Sequence, residues 1–320
     1  MRKKHVHWLL PGNFRDIESV KNHILASVRL RAYISTLNSK MFTFSFGENM
    51  PINTDVLVIG KIGIFNLEKR GLNWINQIKI TNFSRGKVIL DYTDNHLMMN
   101  SPLTNFYKAT LPYITTAVTP SEKMGDFLSN FWKGQVTTIY DSIEVDIIPW
   151  RDRIGQKLLW FGHSSNIQYL LDFINKNESI IDNYSLNIIC NQDGIDYFNK
   201  HNKTNLNYKT LFWSKDILVK EANYCDVCII PSNIESINKQ GAGHNRLITA
   251  LALGMPTIAT LLPSYKMFKN YFVDIESEER LKILDDPNIF KQKLIESQKK
   301  VVPLFQNTVL NKKWQKILSI

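Results

Sequence analysis

Residues 226–263 read DVCIIPSNIESINKQGAGHNRLITALALGMPTIATLLP. An apolar run stops at Pro231, and a polar loop containing Gly241 and Gly243 follows it. A helical period of apolar residues then begins at His244, and Gly254-Met255-Pro256 turns the chain into a second apolar run. Strand, loop, helix, turn and strand in that order make one unit of a parallel α/β sheet. Lys239, Gly241 and Gly243 lie directly before the start of the helix. The first N–H groups of a helix lack intrahelical partners, and the helix dipole is positive at that end. The site therefore suits an anion, and a phosphate-bearing ligand is the first expectation.

The same alternation runs through the rest of the chain. Apolar runs at 5–10, 41–46, 56–62, 87–90, 114–118 and 136–140 read as strands. After Asp16, a plausible N-cap, Ile17, Val20, Ile24 and Val28 recur at helical spacing and predict one helix. Residues 148–155, with Pro149 and Gly155, break the pattern as a linker would, and strands resume at 157–161, 185–190 and 208–212. Near-continuous apolar strands are those of a parallel sheet covered on both faces. The fold expected is α/β, with two Rossmann-like doubly wound domains, 1–150 and 151–300, facing across a cleft, and a C-terminal helical segment, 301–320, packing back across them. Ligands of such sheets lie outside the carboxyl ends of the strands. That rule selects Gly12-Asn13, Asp94-Asn95-His96, Gly162–Asn166, Trp213-Ser214 and Asn233–His244.

Composition narrows the partners. The 320 residues leave room for two cores, and a net charge of +10 favours anions. The three cysteines leave an odd one over, and Cys225-x-x-Cys228 sits at a strand entry, where buried thiols are expected. After the basic Met1-Arg2-Lys3-Lys4, Pro11-Gly12 interrupts the first apolar run, so no secretory leader is read, and no run reaches the length of a spanning helix. A cytoplasmic protein is expected. Lys312, Lys313 and Lys316 around Trp314 fit a helix packed on the domains, or one resting on the acidic inner face of a membrane. No nucleic-acid-binding motif or basic–aromatic strip is found, and nucleic acid is not an expected partner.

The second half resembles the donor-binding domain of GT-B glycosyltransferases, a group that includes many bacterial enzymes of surface-polysaccharide synthesis. The likeness rests on Leu159-Trp-Phe-Gly-His163, Trp213-Ser214, the run from Cys225 to Pro231, and Lys239 followed by Asn245-Arg246-Leu-Ile-Thr-Ala-Leu-Ala-Leu-Gly254-Met-Pro256. Asp91-Tyr-Thr-Asp94-Asn-His96 and Ile139-Tyr-Asp141 resemble the first domain more loosely. The resemblance implies a nucleotide-sugar donor on the second domain. Lys239, Gly243, His244, Asn245 and Arg246 would hold its phosphates, Gly162, His163 and Ser164 would close over them, and Trp213-Ser214 would lie by the base. It implies no cofactor and no metal, in keeping with the absence of an Asp-x-Asp motif. Retaining members commonly carry two glutamates eight positions apart; Gly241 and Thr249 stand there instead.

Each candidate has a plainer reading. Lys239 and Arg246 suit solvated charges, Trp213 a core residue, His163 a turn and His244 a helix start. Asp94 and His96, at a strand end, are either the base that takes an acceptor proton or caps of the next helix. Asp141 and Glu144 read mainly as caps, and His5 and His7 as structural. The expected function is transfer of a sugar to a glycan or lipid-linked acceptor. The alternatives are a sugar-nucleotide epimerase, a polyol-phosphate transferase, and a non-catalytic nucleotide- or glycan-binding protein on the same scaffold.

Overall fold

The computed structural model describes residues 2–23 and 25–319. Two six-stranded parallel sheets run through them. The first holds β1 (Lys4–Leu9), β2 (Phe42–Gly47), β3 (Val56–Ile59), β4 (Lys87–Asp91), β5 (Thr116–Thr119) and β6 (Val136–Thr138), in the order β2-β1-β3-β4-β5-β6. The second holds β7 (Lys157–Phe161), β8 (Ser185–Cys190), β9 (Asn207–Phe212), β10 (Val227–Ile230), β11 (Thr257–Ala259) and β12 (Val273–Asp274), in the order β12-β11-β10-β7-β8-β9. The chain divides into two compact units. One comprises Met1–Ser142, Gln240–His244 and Phe305–Ile320, the other Ile143–Lys239 and Asn245–Leu304.

Burial explains why these segments are strands. Every residue of β3, β5 and β10 is buried, which suits β-branched and aliphatic side chains packed on both faces. On one face of the first sheet, Leu9, Leu57, Ile59, Val88 and Leu90 pack with Trp74 and Ile78 of the helix Ile64–Phe83. On the other, Trp8 meets Trp314 of the helix Asn307–Ser319 edge-on, with ring centroids 5.2 Å apart. Asn311 of that helix donates to the Ile34 carbonyl at 2.8 Å, so the basic C-terminal helix completes the core of the first unit.

Both sheets reverse direction once. In the first the chain leaves β1 for β2 and then returns to β3 on the other side; in the second β7 stands between β8 and β10 in the same way. Such switch points leave a crevice at the carboxyl ends of the two central strands. A side chain at Gly60, just past β3, would force the Leu10 side chain to shift.

The helix expected across 17–28 is not continuous. The Asp16 cap forms as read, accepting from the Ser19 N–H at 2.8 Å, but the helix Ile17–Lys21 stops after five residues. The His23 ring then accepts the Leu25 N–H at 3.1 Å, and a π-helical segment, Val28–Tyr33, follows. Ile24 lies outside the described residues. The strand read at 56–62 ends at Ile59, because Gly60 turns to donate its N–H to the Leu9 carbonyl at 3.1 Å. The two-residue β12 and the helix Ile237–Gln240 were not anticipated; both are too short to show a period. Cys190, Cys225 and Cys228 are free and buried, as expected of structural thiols.

Candidate active site

In the second unit the candidates cluster at the switch point between β7 and β10. Gly162 follows β7, and a methyl group added there would meet the Trp160 ring at 3.1 Å and Arg246 Cδ at 3.7 Å. Arg246, in the first turn of the helix Asn245–Ala252, thus lies over the glycine turn. Its side chain is half-buried, Nη1 is shielded from water, and no hydrogen-bond partner reaches it among the described residues. Asn245 Oδ1 and Trp160 Nε1 are shielded and unpartnered as well. An orphaned guanidinium N–H beside a helix N-terminus has the chemistry to receive an anion.

The loop after β7 is held by local bonds. His163 caps the short turn Ser164–Asn166, its Nδ1 accepting the Ser165 N–H at 3.2 Å. Asn191, just past β8, accepts the Ser164 N–H at 2.7 Å. Lys239 donates to Asn166 Oδ1 at 2.7 Å and lies 5.5 Å from the centre of the Tyr169 ring. Gly162, His163, Ser164, Lys239, Asn245 and Arg246 are therefore neighbours in one unit. Trp213 stands two strands away at the end of β9, its N–H donated to the Cys190 carbonyl at 2.9 Å. Ser214 caps the helix Lys215–Ala222, accepting the Ile217 N–H at 3.1 Å.

Gly243 and His244 count with the first unit. His244 is buried there, edge-on to Tyr140 at 5.3 Å and to Phe305 at 5.8 Å. Gly241 explains one departure from the glycosyltransferase pattern. A Cβ at this position would fall 2.9 Å from the end of Met124 and 3.2 Å from the Phe127 ring. A larger side chain here would need the end of Met124 and the Phe127 ring to move aside.

The first unit gathers a second set at the ends of β3 and β4. Asp94 pairs with Lys61 at 2.8 Å, both side chains about 40 % exposed. Burial works to raise the Asp94 carboxyl, but the Lys61 ammonium, His96 and the Thr93 hydroxyl hold it below its ordinary value. His96 lies parallel to Tyr107, 5.6 Å between ring centres, and its shielded Nδ1 has no hydrogen-bond partner among the described residues. Burial lowers its pKa, only partly offset by the Asp94 carboxylate, so near neutral pH the imidazole is free to accept a proton. Burial also pushes up Tyr92, to about 12, and Tyr107 beyond it, so both phenols stay protonated.

No family model matches the sequence, and no curated protein matches it. Solved structures do. The chain superposes on TarM with a TM-score of 0.60 at 13% identity, over 83% of this chain and 55% of that one, so it spans about half the length of TarM. On HepE from Anabaena, in complex with UDP, the TM-score is 0.62 at 12% identity, over 99% of both chains. On an alpha-glucosyltransferase in complex with UDP and DNA it is 0.63 at 11% identity, over the whole of both. The fold is GT-B. Each sheet with its helices is one Rossmann-like domain of that architecture.

Two groups escaped the sequence reading. Lys61 lies inside what reads as a continuous apolar strand; the flanking Gly60 and Gly63 were the available signal. Arg31 is fully buried in the π-helical segment, bound to Asp91 at 2.6–2.9 Å, to Asp141 at 2.8 Å and to the Ile139 carbonyl at 2.7 Å. Burial works against the charge, and the two carboxylates hold it. Asp141 thereby has a structural partner that ties the end of β6 to β4.

Proposed function

We propose that this chain is a glycosyltransferase that moves a sugar from a nucleotide-sugar donor to a glycan or lipid-linked acceptor in surface-polysaccharide synthesis. The observation that carries the reading is the shielded, unpartnered Nη1 of Arg246 above the Gly162 turn. A nucleoside diphosphate leaving group develops charge as the glycosidic bond breaks. The Arg246 guanidinium, the Lys239 ammonium and the first-turn N–H groups of the helix Asn245–Ala252 are the donors that would meet it. On the acceptor side, Asp94 or His96 takes the hydroxyl proton as oxygen attacks the anomeric carbon. His96 suits that role through its neutral imidazole, and Asp94 through a carboxylate held ionised by Lys61. The UDP of the HepE and alpha-glucosyltransferase structures makes uracil the first base to try.

Incubation with a panel of nucleotide sugars, with glycan, lipid-linked and DNA acceptors, tests the reading through release of free nucleotide. The DNA arm answers to the DNA-bound alpha-glucosyltransferase. Acceptor-dependent release supports transfer. Arg246→Ala is expected to weaken nucleoside diphosphate binding about 10- to 100-fold, the value of a hydrogen bond to a charged group. Unchanged binding and turnover in that variant would overturn the phosphate assignment. Gly241 and Thr249, standing where an acidic pair would be expected, favour a second reading: a protein of the same scaffold that binds nucleotide without turning it over.

A further inference from the structure

The helix Ile64–Phe83 is packed by one face only. Gly71, Trp74, Gln77, Ile78 and Thr81 are buried. Helical periodicity sets Phe65, Leu72 and Phe83 on the opposite side, within about 20° of one line. Phe65 is 90 % exposed, Leu72 82 % and Phe83 75 %, with Ile80 beside them at 57 %. Single exposed apolar residues are ordinary, but a line of them along roughly 27 Å of one helix is a surface built to be covered.

Charge identifies the cover. The helix carries one acidic residue, Glu68, against Lys69, Arg70 and Lys79, and Arg85 follows its end. Arg70 is engaged by Glu48 at 2.6 Å, whereas Lys69, Lys79 and Arg85 make no ion pair among the described residues. The Lys79 ammonium lies 5.7 Å from the centre of the Tyr113 ring, which itself meets Phe83 edge-on at 6.2 Å. A two-fold contact with a second copy would set these cations against the same cations. Lines of phenylalanine and leucine flanked by lysine and arginine instead fit the boundary between headgroups and acyl chains of an anionic bilayer.

We propose that the outer face of the helix Ile64–Phe83 docks on an acidic lipid surface. The apolar side chains enter the boundary region, and Lys69, Lys79 and Arg85 meet the lipid phosphates. The helix begins three residues after Lys61, so docking would bring a lipid surface close to the Lys61–Asp94 pair. The inference does not depend on the transferase reading, because its test needs no turnover.

Co-sedimentation of the full chain with vesicles of phosphatidylcholine alone, or mixed with phosphatidylglycerol, provides that test. Binding is expected to the mixed vesicles and not to the neutral ones. Phe65→Ser/Leu72→Ser/Phe83→Ser should reduce it about ten-fold or more without lowering the melting temperature, since the replaced side chains face solvent. Lys69→Gln/Lys79→Gln should weaken it and flatten its salt dependence. Failure of the wild type to bind the acidic vesicles, or equal binding by the triple variant, would overturn the proposal. So would a concentration-dependent dimer in the ultracentrifuge that the triple variant abolishes, since it would assign the face to a second copy.

Discussion

His7 shows how a single side chain can couple this fold to pH. It is 1 % exposed in β1, with Nε2 against the Gly47 carbonyl at 3.2 Å and Nδ1 against the Ser45 hydroxyl at 2.8 Å. The carbonyl can only accept, which assigns the proton to Nε2 and leaves Nδ1 as the acceptor. Burial lowers its pKa to about 4. The folded state therefore takes up this proton later than the unfolded state, whose histidine titrates near 6.5. Stability from His7 is intact above that value and falls by roughly 3 kcal/mol as the pH drops to about 4. Urea unfolding between pH 7.5 and 4 should show this loss in the wild type and much less of it in His7→Gln; parallel pH profiles would show that His7 titrates as an exposed imidazole. In the sequence His5 and His7 read as structural or surface residues, and the bonds of His7 to Ser45 and Gly47 form only when β2 pairs with β1. The role of Arg31 was not legible: its neighbours in sequence give no sign of Asp91 and Asp141, which reach it only through the sheet.

At the scale of elements, the turn Gly254-Met255-Pro256 ends the helix Asn245–Ala252 and joins it to β11. Gly254 has φ +69°, and a Cβ there would stand 2.7 Å from the Ile148 carbonyl oxygen. Left-handed backbone and a contact with main chain leave no cheap adjustment. Gly254→Ala is expected to destabilise the second unit by about 2 kcal/mol or more, read as a lower denaturation midpoint; a midpoint within 0.5 kcal/mol of the wild type, roughly the scatter of surface substitutions, would refute it. This element was readable because glycine, proline and apolar period all pointed to one answer. The helix expected over 17–28 failed for the opposite reason. Its period was sound, but the His23 ring takes the Leu25 N–H and the Arg31 guanidinium is turned to Asp91, and neither event leaves a mark in local spacing. Lys61 was hidden likewise, since a strand ending at Ile59 and one ending at Ile62 have the same apolar pattern.

For the molecule as a whole, the proposed transfer raises the question of what would neutralise a departing nucleoside diphosphate. Two routes are general: a divalent cation held by carboxylates, or fixed cationic and N–H donors. A magnesium ion bound with a nucleotide needs only one or two protein carboxylates, so the choice turns on which donors are present. The positive features do gather, with Arg246 over the Gly162 turn and Lys239 on Asn166 of the adjoining loop, in a chain of net charge +10. A half-buried guanidinium is screened less by salt than a surface lysine, so its attraction for a diphosphate should persist at physiological ionic strength. Transfer is therefore expected to continue within about two-fold when EDTA is added, while Arg246→Ala costs about 10- to 100-fold in nucleotide affinity at any EDTA concentration. If EDTA instead abolished transfer and magnesium or manganese restored it, the charge would be met by a metal ion, and Arg246 would be left with orienting the donor.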